Sequence, residues 1–319
     1  MVALVIIYNH KFEKNIDKLE EIYKEKFSHI FHIMPFYTGK KENIITIYDH
    51  SYYFQGYVAQ AYQNLKHRGN FDHFMFIADD MILHPELNED TYENFLQLDK
   101  ETSFITNIHD LETQGNSKYP LFFLHQALFF KLPQQGSGLE ILNDLPTYNE
   151  AIELFKKKGF DEPYFLAEHV YSLPKRTDFA SHPLGTYKYR KRKKEVQNIL
   201  NQKKIKPNYP LVCGYSDFFV ISNKNMDKFA LYCGIFAACR LFVDYAMTTS
   251  MLLSCDKIKT EKDLNRKGYV MTGDGGPDHP LYENQPEFEQ KYNFSLDKLL
   301  TNFPNNAIFV HPIKLSKWK

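Results

Sequence analysis

Two adjacent carboxylates, Asp79 and Asp80, close the apolar run Phe74-Met75-Phe76-Ile77-Ala78, and Met81-Ile82-Leu83 follows them. A run that short and that rich in Phe and Ile predicts a buried strand of an α/β sheet. Paired carboxylates at its end are costly to bury unless something cationic meets them. Open α/β sheets place their ligands at the carboxyl ends of strands. A divalent cation bridging a diphosphate answers both demands, because hard cations take oxygen ligands from protein and phosphate alike. The plainer alternative is a pair of solvated turn residues. Asp244 and His311, far downstream, bear on that choice.

The elements that must position these residues are readable from periodicity. Val2 to Tyr8 is a continuous apolar run, expected as a first, central strand rather than a signal segment: it is too short to span a bilayer and has no basic flank or cleavage site. Lys11 to Phe27 sets Phe12, Ile16, Leu19, Tyr23 and Phe27 at helical spacing. Ile30 to Phe36 and Ile44 to Tyr48 read as strands, and Gln55 to His67 as a helix ended by Gly69-Asn70. With the Asp79-Asp80 strand this gives βαββαβ, which predicts an α/β fold with a Rossmann-like mixed, mainly parallel sheet flanked by helices.

Thr102 to Ile108 and Leu121 to Lys131 read as further strands. Between Leu132 and Pro210 the pattern weakens, apart from an amphipathic helix near Tyr148 to Lys158. The basic run Arg190-Lys191-Arg192-Lys193-Lys194 can face phosphates, an acidic acceptor or a membrane surface. Glu195, Val196, Ile199 and Leu200 at helical spacing favour a solvated helix face. Leu211 to Ile221 is expected as a strand, Asn225 to Ala238 and Phe242 to Leu253 as buried helices, Gly273 to Asp278 as a loop, and Ala307 to Val310 as a last strand. The expected organisation is one domain over 1–319, in three stretches: 1–131, a helical and loop insertion at 132–210, and 211–319.

Composition narrows the class. In 319 residues, 43% are hydrophobic and 24% charged, which fits a globular protein with a large core. The 39 Lys and Arg balance the 39 Asp and Glu, so no net field points to nucleic acid as a partner. Tyr and Phe are abundant, 22 and 27, and suit sugar or base contacts as well as a core. Cys213, Cys233, Cys239 and Cys255 lack CxxC spacing and sit in apolar segments. Buried free thiols, and hence the cytoplasm or the cytoplasmic face of a membrane, are expected.

Several chemistries lack their residues. Gly39-Lys40-Lys41 has neither the upstream glycine nor the Ser/Thr of a phosphate loop, no GxGxxG follows the first strand, HExxH is absent, and Glu168-His169 is a weak pair. Asp244, the lone acid of an apolar stretch, is a candidate base whose pKa burial should raise, or else a helix N-cap. Asp217, in Gly214-Tyr215-Ser216-Asp217-Phe218, can bond a sugar hydroxyl or form a turn.

The order of these features resembles the GT-A glycosyltransferases, which use nucleotide-sugar donors. Ala78-Asp79-Asp80 is similar to their DxD-type motif with its first acid lost. The resemblance implies a Mn2+ or Mg2+ ion on Asp80, with Asp79 on the ribose or a metal-bound water. Phe54-Gln55-Gly56-Tyr57-Val58-Ala59-Gln60-Ala61 resembles the helix start that lies along the donor, which makes Gly56 a phosphate contact, with Tyr8 and Asp49 as further donor contacts. Leu241-Phe242-Val243-Asp244-Tyr245-Ala246-Met247 is similar to the family's acidic helix start. Val310-His311-Pro312-Ile313-Lys314-Leu315-Ser316-Lys317-Trp318 resembles a segment that closes over the diphosphate, with His311 on the metal and Lys314 on phosphate. Tyr215 and Asp217 become substrate contacts, residues 1–131 the nucleotide-sugar-binding half, and 211–319 the acceptor-binding half with a C-terminal lid. The activity implied is metal-assisted transfer of a sugar, from a UDP-linked donor by preference, to a glycan or glycolipid hydroxyl. The rivals are a sugar-nucleotide pyrophosphorylase, disfavoured because Tyr8-Asn9-His10-Lys11 carries no glycine, and a non-catalytic glycan-binding protein.

Overall fold

The apolar runs of the N-terminal third become parallel strands that are buried along their length. The computed structural model describes residues 1–111, 126–132, 143–166, 190–191, 193–195, 197, 204–271 and 285–319. Strands β1 (Val2–Ile7), β2 (Ile30–Pro35), β3 (Ile44–Ile47) and β4 (His73–Ala78) alternate with helices α1 (Lys14–Tyr23) and α2 (Gln55–Lys66). All six residues of β1 and of β4 are buried. A strand covered on both faces has no reason to alternate polar with apolar.

After β4 come β5 (Ile82–Leu83), α3 (Tyr92–Leu96), β6 (Thr102–Ile105), α4 (Tyr148–Lys156), β7 (Phe165–Leu166), β8 (Lys204–Ile205) and β9 (Phe218–Ser222). Then follow α5 (Asn223–Ala238), α6 (Val243–Ser254), β10 (Lys257–Lys259), β11 (Lys267–Val270), α7 (Gln285–Lys291), α8 (Leu296–Thr301) and β12 (Ala307–His311). The main sheet has seven strands in the order β10-β6-β9-β4-β1-β2-β3. Only β9 runs against its neighbours, antiparallel to both β4 and β6. A three-stranded sheet, β11-β12-β5, joins the C-terminal strand to the chain just after Asp80. The fold is therefore α/β with a mainly parallel central sheet flanked by helices.

Helices cover both faces. On one face α1 buries Ile16, Leu19 and Tyr23 in a cluster with Met34, Phe104 and Trp318. On the other, α2 and α5 share a cluster with Phe76 and Phe219, whose rings stack at 4.6 Å. Each fully buried Phe of this kind contributes roughly 1.5–3 kcal/mol. The α2–α5 crossing is close: a Cβ on Gly56 would lie 3.1 Å from Ala237 Cβ, and one on Gly234 3.2 Å from Ala59 Cβ.

Some expectations need correction. The strand expected over Leu211 to Ile221 is regular only in β9, Phe218–Ser222. Ahead of it, Cys213 bridges to His109, and Gly214 packs so tightly on Asn107 that a Cβ would collide with its carbonyl. The strand over Thr102 to Ile108 ends at Ile105. Residues 126–128 of the strand expected at Leu121 to Lys131 are helical, and 121–125 lie outside the described residues. So do Gly273 to Asp278 and the Glu168-His169 pair. The described residues of the basic run are helical, and Lys191 pairs with Glu195 one turn on, at 3.9 Å. Among the described residues no helix is long and apolar enough to cross a membrane.

Candidate active site at the carboxyl edge of the sheet

β1 is followed by a helix on one face and β4 is preceded by a helix on the other, so the chain changes direction between these two neighbours. A crevice opens at such a switch point, beyond the strand carboxyl ends. Asp79 stands at this switch point. Its N–H donates to the Ile7 carbonyl at 2.9 Å, and Asn15 Nδ2 donates to its Oδ2 at 3.0 Å. The Asn9 N–H reaches Oδ1 at 3.4 Å. Burial, together with the charge of Asp80, pushes the Asp79 pKa up to about 7.

Three separate pieces of chain meet around Asp80. β5 begins two residues after it and pairs antiparallel with β12, Ile82 opposite Val310. That register carries His311 back beside the carboxylate, with Nε2 3.0 Å from Asp80 Oδ1. The Ile313 N–H fixes the arrangement by donating to the Asp80 carbonyl at 2.6 Å. The third piece arrives because β9 is antiparallel: its beginning, not its end, lies at the carboxyl edge of β4. The Ala78 N–H donates to the Asp217 carbonyl at 3.0 Å, and Asp217 Oδ2 is 4.0 Å from His311 Nε2. Tyr215 places its hydroxyl 2.7 Å from His311 Nδ1.

The electrostatics are those of a crowded acidic site. Burial pushes the Asp217 pKa up, Asp80 adding to this while His311 and Tyr215 oppose it. Burial pulls the His311 pKa down, but Asp80, with Asp217 and Asp79, outweighs it, and the net direction is up.

The metal expected from the sequence can be weighed against these atoms. Asp80 Oδ1 is buried and makes no hydrogen bond of acceptable geometry, although His311 Nε2 is only 3.0 Å away. Two ligands at right angles on a small cation, with bonds of about 2.1 Å, stand about 3 Å apart. The Asp80–His311 edge fits that spacing. Among the described residues no group of three or more His, Cys, Asp or Glu is arranged to hold a metal ion. Mg2+ is commonly held by one or two carboxylates and completed by substrate phosphate and water, and imidazole suits less hard divalent ions, so an Asp–His edge fits Mn2+ shared with a diphosphate better than Mg2+.

Asp244 lies in the first turn of α6. The Ser216 hydroxyl donates a short hydrogen bond to its Oδ1. Desolvation pushes its pKa up to about 7. The helix N-cap is Phe242, so Asp244 is not the cap residue. Through Ser216 it is tied to the segment that carries Tyr215 and Asp217.

The other expected contacts are placed differently. Tyr8 is fully buried, its hydroxyl 3.0 Å from His32 Nδ1, and its ring has no exposed surface to offer a ligand. Gly56 serves the α2–α5 packing described above. Asp49 binds Arg240 Nη1 at 3.2 Å, and with Gly56 and Gln60 it lines a cavity of about 220 Å³. Lys314 is exposed, while its neighbour Ile313 is buried. The tail from His311 to Lys319 packs against the body as a strap. Trp318 is 1% exposed among Phe288, Tyr292 and Phe294, and Lys18 Nζ donates to the Leu315 and Trp318 carbonyls.

Four residues escaped the sequence reading. Asn15 shares the buried face of α1 with Ile16 and Leu19, and a polar side chain there was a readable signal. Ser216 and Asn107, which accepts the Tyr215 N–H at 2.9 Å, carried none. Phe36 follows β2 at φ 53° and is 53% exposed, packed edge-to-face on Tyr48, itself 73% exposed. A bulky residue held left-handed costs roughly 1–2 kcal/mol. Both rings stand on the same sheet edge as Asp79, two and three strands along from β4. No protein-family model matches the chain, and no curated protein matches it.

Proposed function

We propose that this protein is a GT-A-type glycosyltransferase that moves a sugar from a nucleoside diphosphate donor, UDP-linked by preference, to the hydroxyl of a glycan or glycolipid. The observation that carries the reading is the meeting of Asp80, His311 and Asp217, from three distant stretches of sequence, at the switch point of the sheet. Such a cluster of acids beside an imidazole is an expensive thing to build without a cationic ligand. A Mn2+ or Mg2+ ion held by Asp80 and His311 would neutralise the leaving diphosphate, the main electrostatic demand of breaking a sugar–phosphate bond.

The chain's own residues supply the rest. Asp79, fixed by Asn15, is placed to accept a hydrogen bond from the ribose or from a water. Phe36 and Tyr48 offer aromatic faces along the edge where the donor's nucleoside would extend. Asp217 accepts from a sugar hydroxyl. Asp244, with a pKa near neutrality, suits a base that takes the proton of the acceptor hydroxyl in an inverting reaction. In a retaining reaction it positions substrate instead. The four free cysteines support a reducing compartment.

A panel of nucleotide sugars incubated with the protein and Mn2+ tests the reading. Slow hydrolysis of one donor, faster when a matching acceptor is added, is expected. No turnover of any donor, with tight binding of oligosaccharide alone, would mean a glycan-binding protein.

A further inference from the structure

Tyr215 is held more firmly than a substrate contact needs to be. Its ring stacks on Phe309, centroids 5.7 Å apart and planes 8° from parallel, and stands edge-on to the His311 imidazole. Its backbone N–H is fixed by Asn107. With ring and backbone pinned, the phenolic oxygen stays 2.7 Å from His311 Nδ1, and only the O–H direction is free to change. A second acceptor is at hand, because the Asp217 carboxylate lies near enough to interact with the same hydroxyl.

A neutral imidazole carries one N–H, and its position follows from what the other nitrogen meets. When Tyr215 donates to Nδ1, the imidazole proton sits on Nε2, facing Asp80, and Nε2 has no lone pair for a cation. When Tyr215 turns to donate to Asp217, its oxygen accepts from Nδ1–H, and Nε2 presents its lone pair beside Asp80. The change takes one proton from Nε2 to water and adds one at Nδ1, so the count is unaltered.

We propose that Tyr215 is a positioning residue whose hydroxyl, turning between His311 and Asp217, decides whether His311 can join Asp80 as a cation ligand. This rests on the metal-assisted reading given above. It makes Asp217 a partner in metal capture as well as a substrate contact, since its carboxylate holds the hydroxyl in the orientation that frees Nε2. Outer hydrogen bonds of this kind are commonly worth 10–100-fold in metal affinity.

The test uses the full chain with Mn2+, or diamagnetic Zn2+, alone as the probe. Nitrogen-15 NMR of the His311 ring, assigned with His311→Gln, is recorded at mildly alkaline pH with and without Zn2+, which accepts imidazole nitrogen. The wild type should pass from Nε2–H to Nδ1–H when Zn2+ is added; the same tautomer in both conditions overturns the inference without any variant. Tyr215→Phe keeps the ring stack and removes only the hydroxyl. It should stay in the Nε2–H form and bind Mn2+ roughly 10–100-fold more weakly by electron paramagnetic resonance titration. Equal Mn2+ affinity in Tyr215→Phe and wild type would overturn the role of Tyr215 and leave the metal reading standing. A wild type that binds no Mn2+ would overturn both.

Discussion

His311 Nε2 lies 3.0 Å from Asp80 Oδ1, yet the two atoms form no well-aligned hydrogen bond. The antiparallel pairing of β5 with β12 imposes this approach, and the Ile313 N–H on the Asp80 carbonyl locks it. Two polar atoms brought to contact distance by backbone pairing are preorganised. The site does not depend on flexible side chains finding each other.

Replacing Asp244 by Asn separates the base role from a structural one. Sugar transfer should fall by on the order of a hundredfold or more, while nucleotide affinity stays nearly unchanged. Steady-state kinetics alongside nucleotide titration checks this. Full activity in the variant would make Asp244 a bystander.

The same substitution has a pH signature. The Asp244 pKa is 3.8 without the fold's influence and about 7 in the folded protein. The group's favourable contribution is therefore fully present below pH 3.8 and is lost as pH rises through about 7. Asn cannot ionise, so Asp244→Asn should gain stability relative to wild type across that window, by on the order of a few kcal/mol. Thermal melts of both proteins at several pH values show it; parallel curves would mean the carboxyl is not raised.

Gly56 divides packing from phosphate binding. Gly56→Ala puts a Cβ 3.1 Å from Ala237 Cβ, and should cost roughly 1–3 kcal/mol of stability. Nucleotide affinity should hold. A stable variant that loses nucleotide would return Gly56 to the donor site.

The C-terminal strap should behave as core. Trp318→Ala should cost roughly 3–5 kcal/mol, and removing residues 311–319 should unfold the protein instead of merely emptying a site. Trp318, the only tryptophan, should then report unfolding in its fluorescence and barely respond to nucleotide. A large nucleotide-dependent shift in its emission would restore the lid.

What the sequence made legible follows from where each signal lives. β1, β4, α2 and α6 carry their own periodicity, so their residues sufficed to place Asp79, Asp80 and Asp244 at element ends. The direction of β9 is not written in Phe218–Ser222; it is fixed by pairing with β4 and β6, and on it depends the arrival of Tyr215 and Asp217 at the site. The two-residue β5 is too short to show a period, yet it recruits His311. Tyr8, a donor contact by the resemblance alone, lies buried just after β1 with its hydroxyl on His32 of the neighbouring strand. The resemblance cast the tail as a segment that closes over the diphosphate. Its packing partners Phe288, Tyr292 and Phe294 lie in a stretch for which the sequence predicts no element.

The most direct test of the account is calorimetry of UDP binding with Mn2+ and then with chelator, on wild type and Asp80→Asn. If Asp80 and His311 hold a cation that the diphosphate shares, wild-type affinity should drop at least tenfold on chelation. Asp80→Asn should start at the chelated level and not respond to Mn2+. UDP affinity that is the same with Mn2+ and with chelator in the wild type would contradict the metal–diphosphate site.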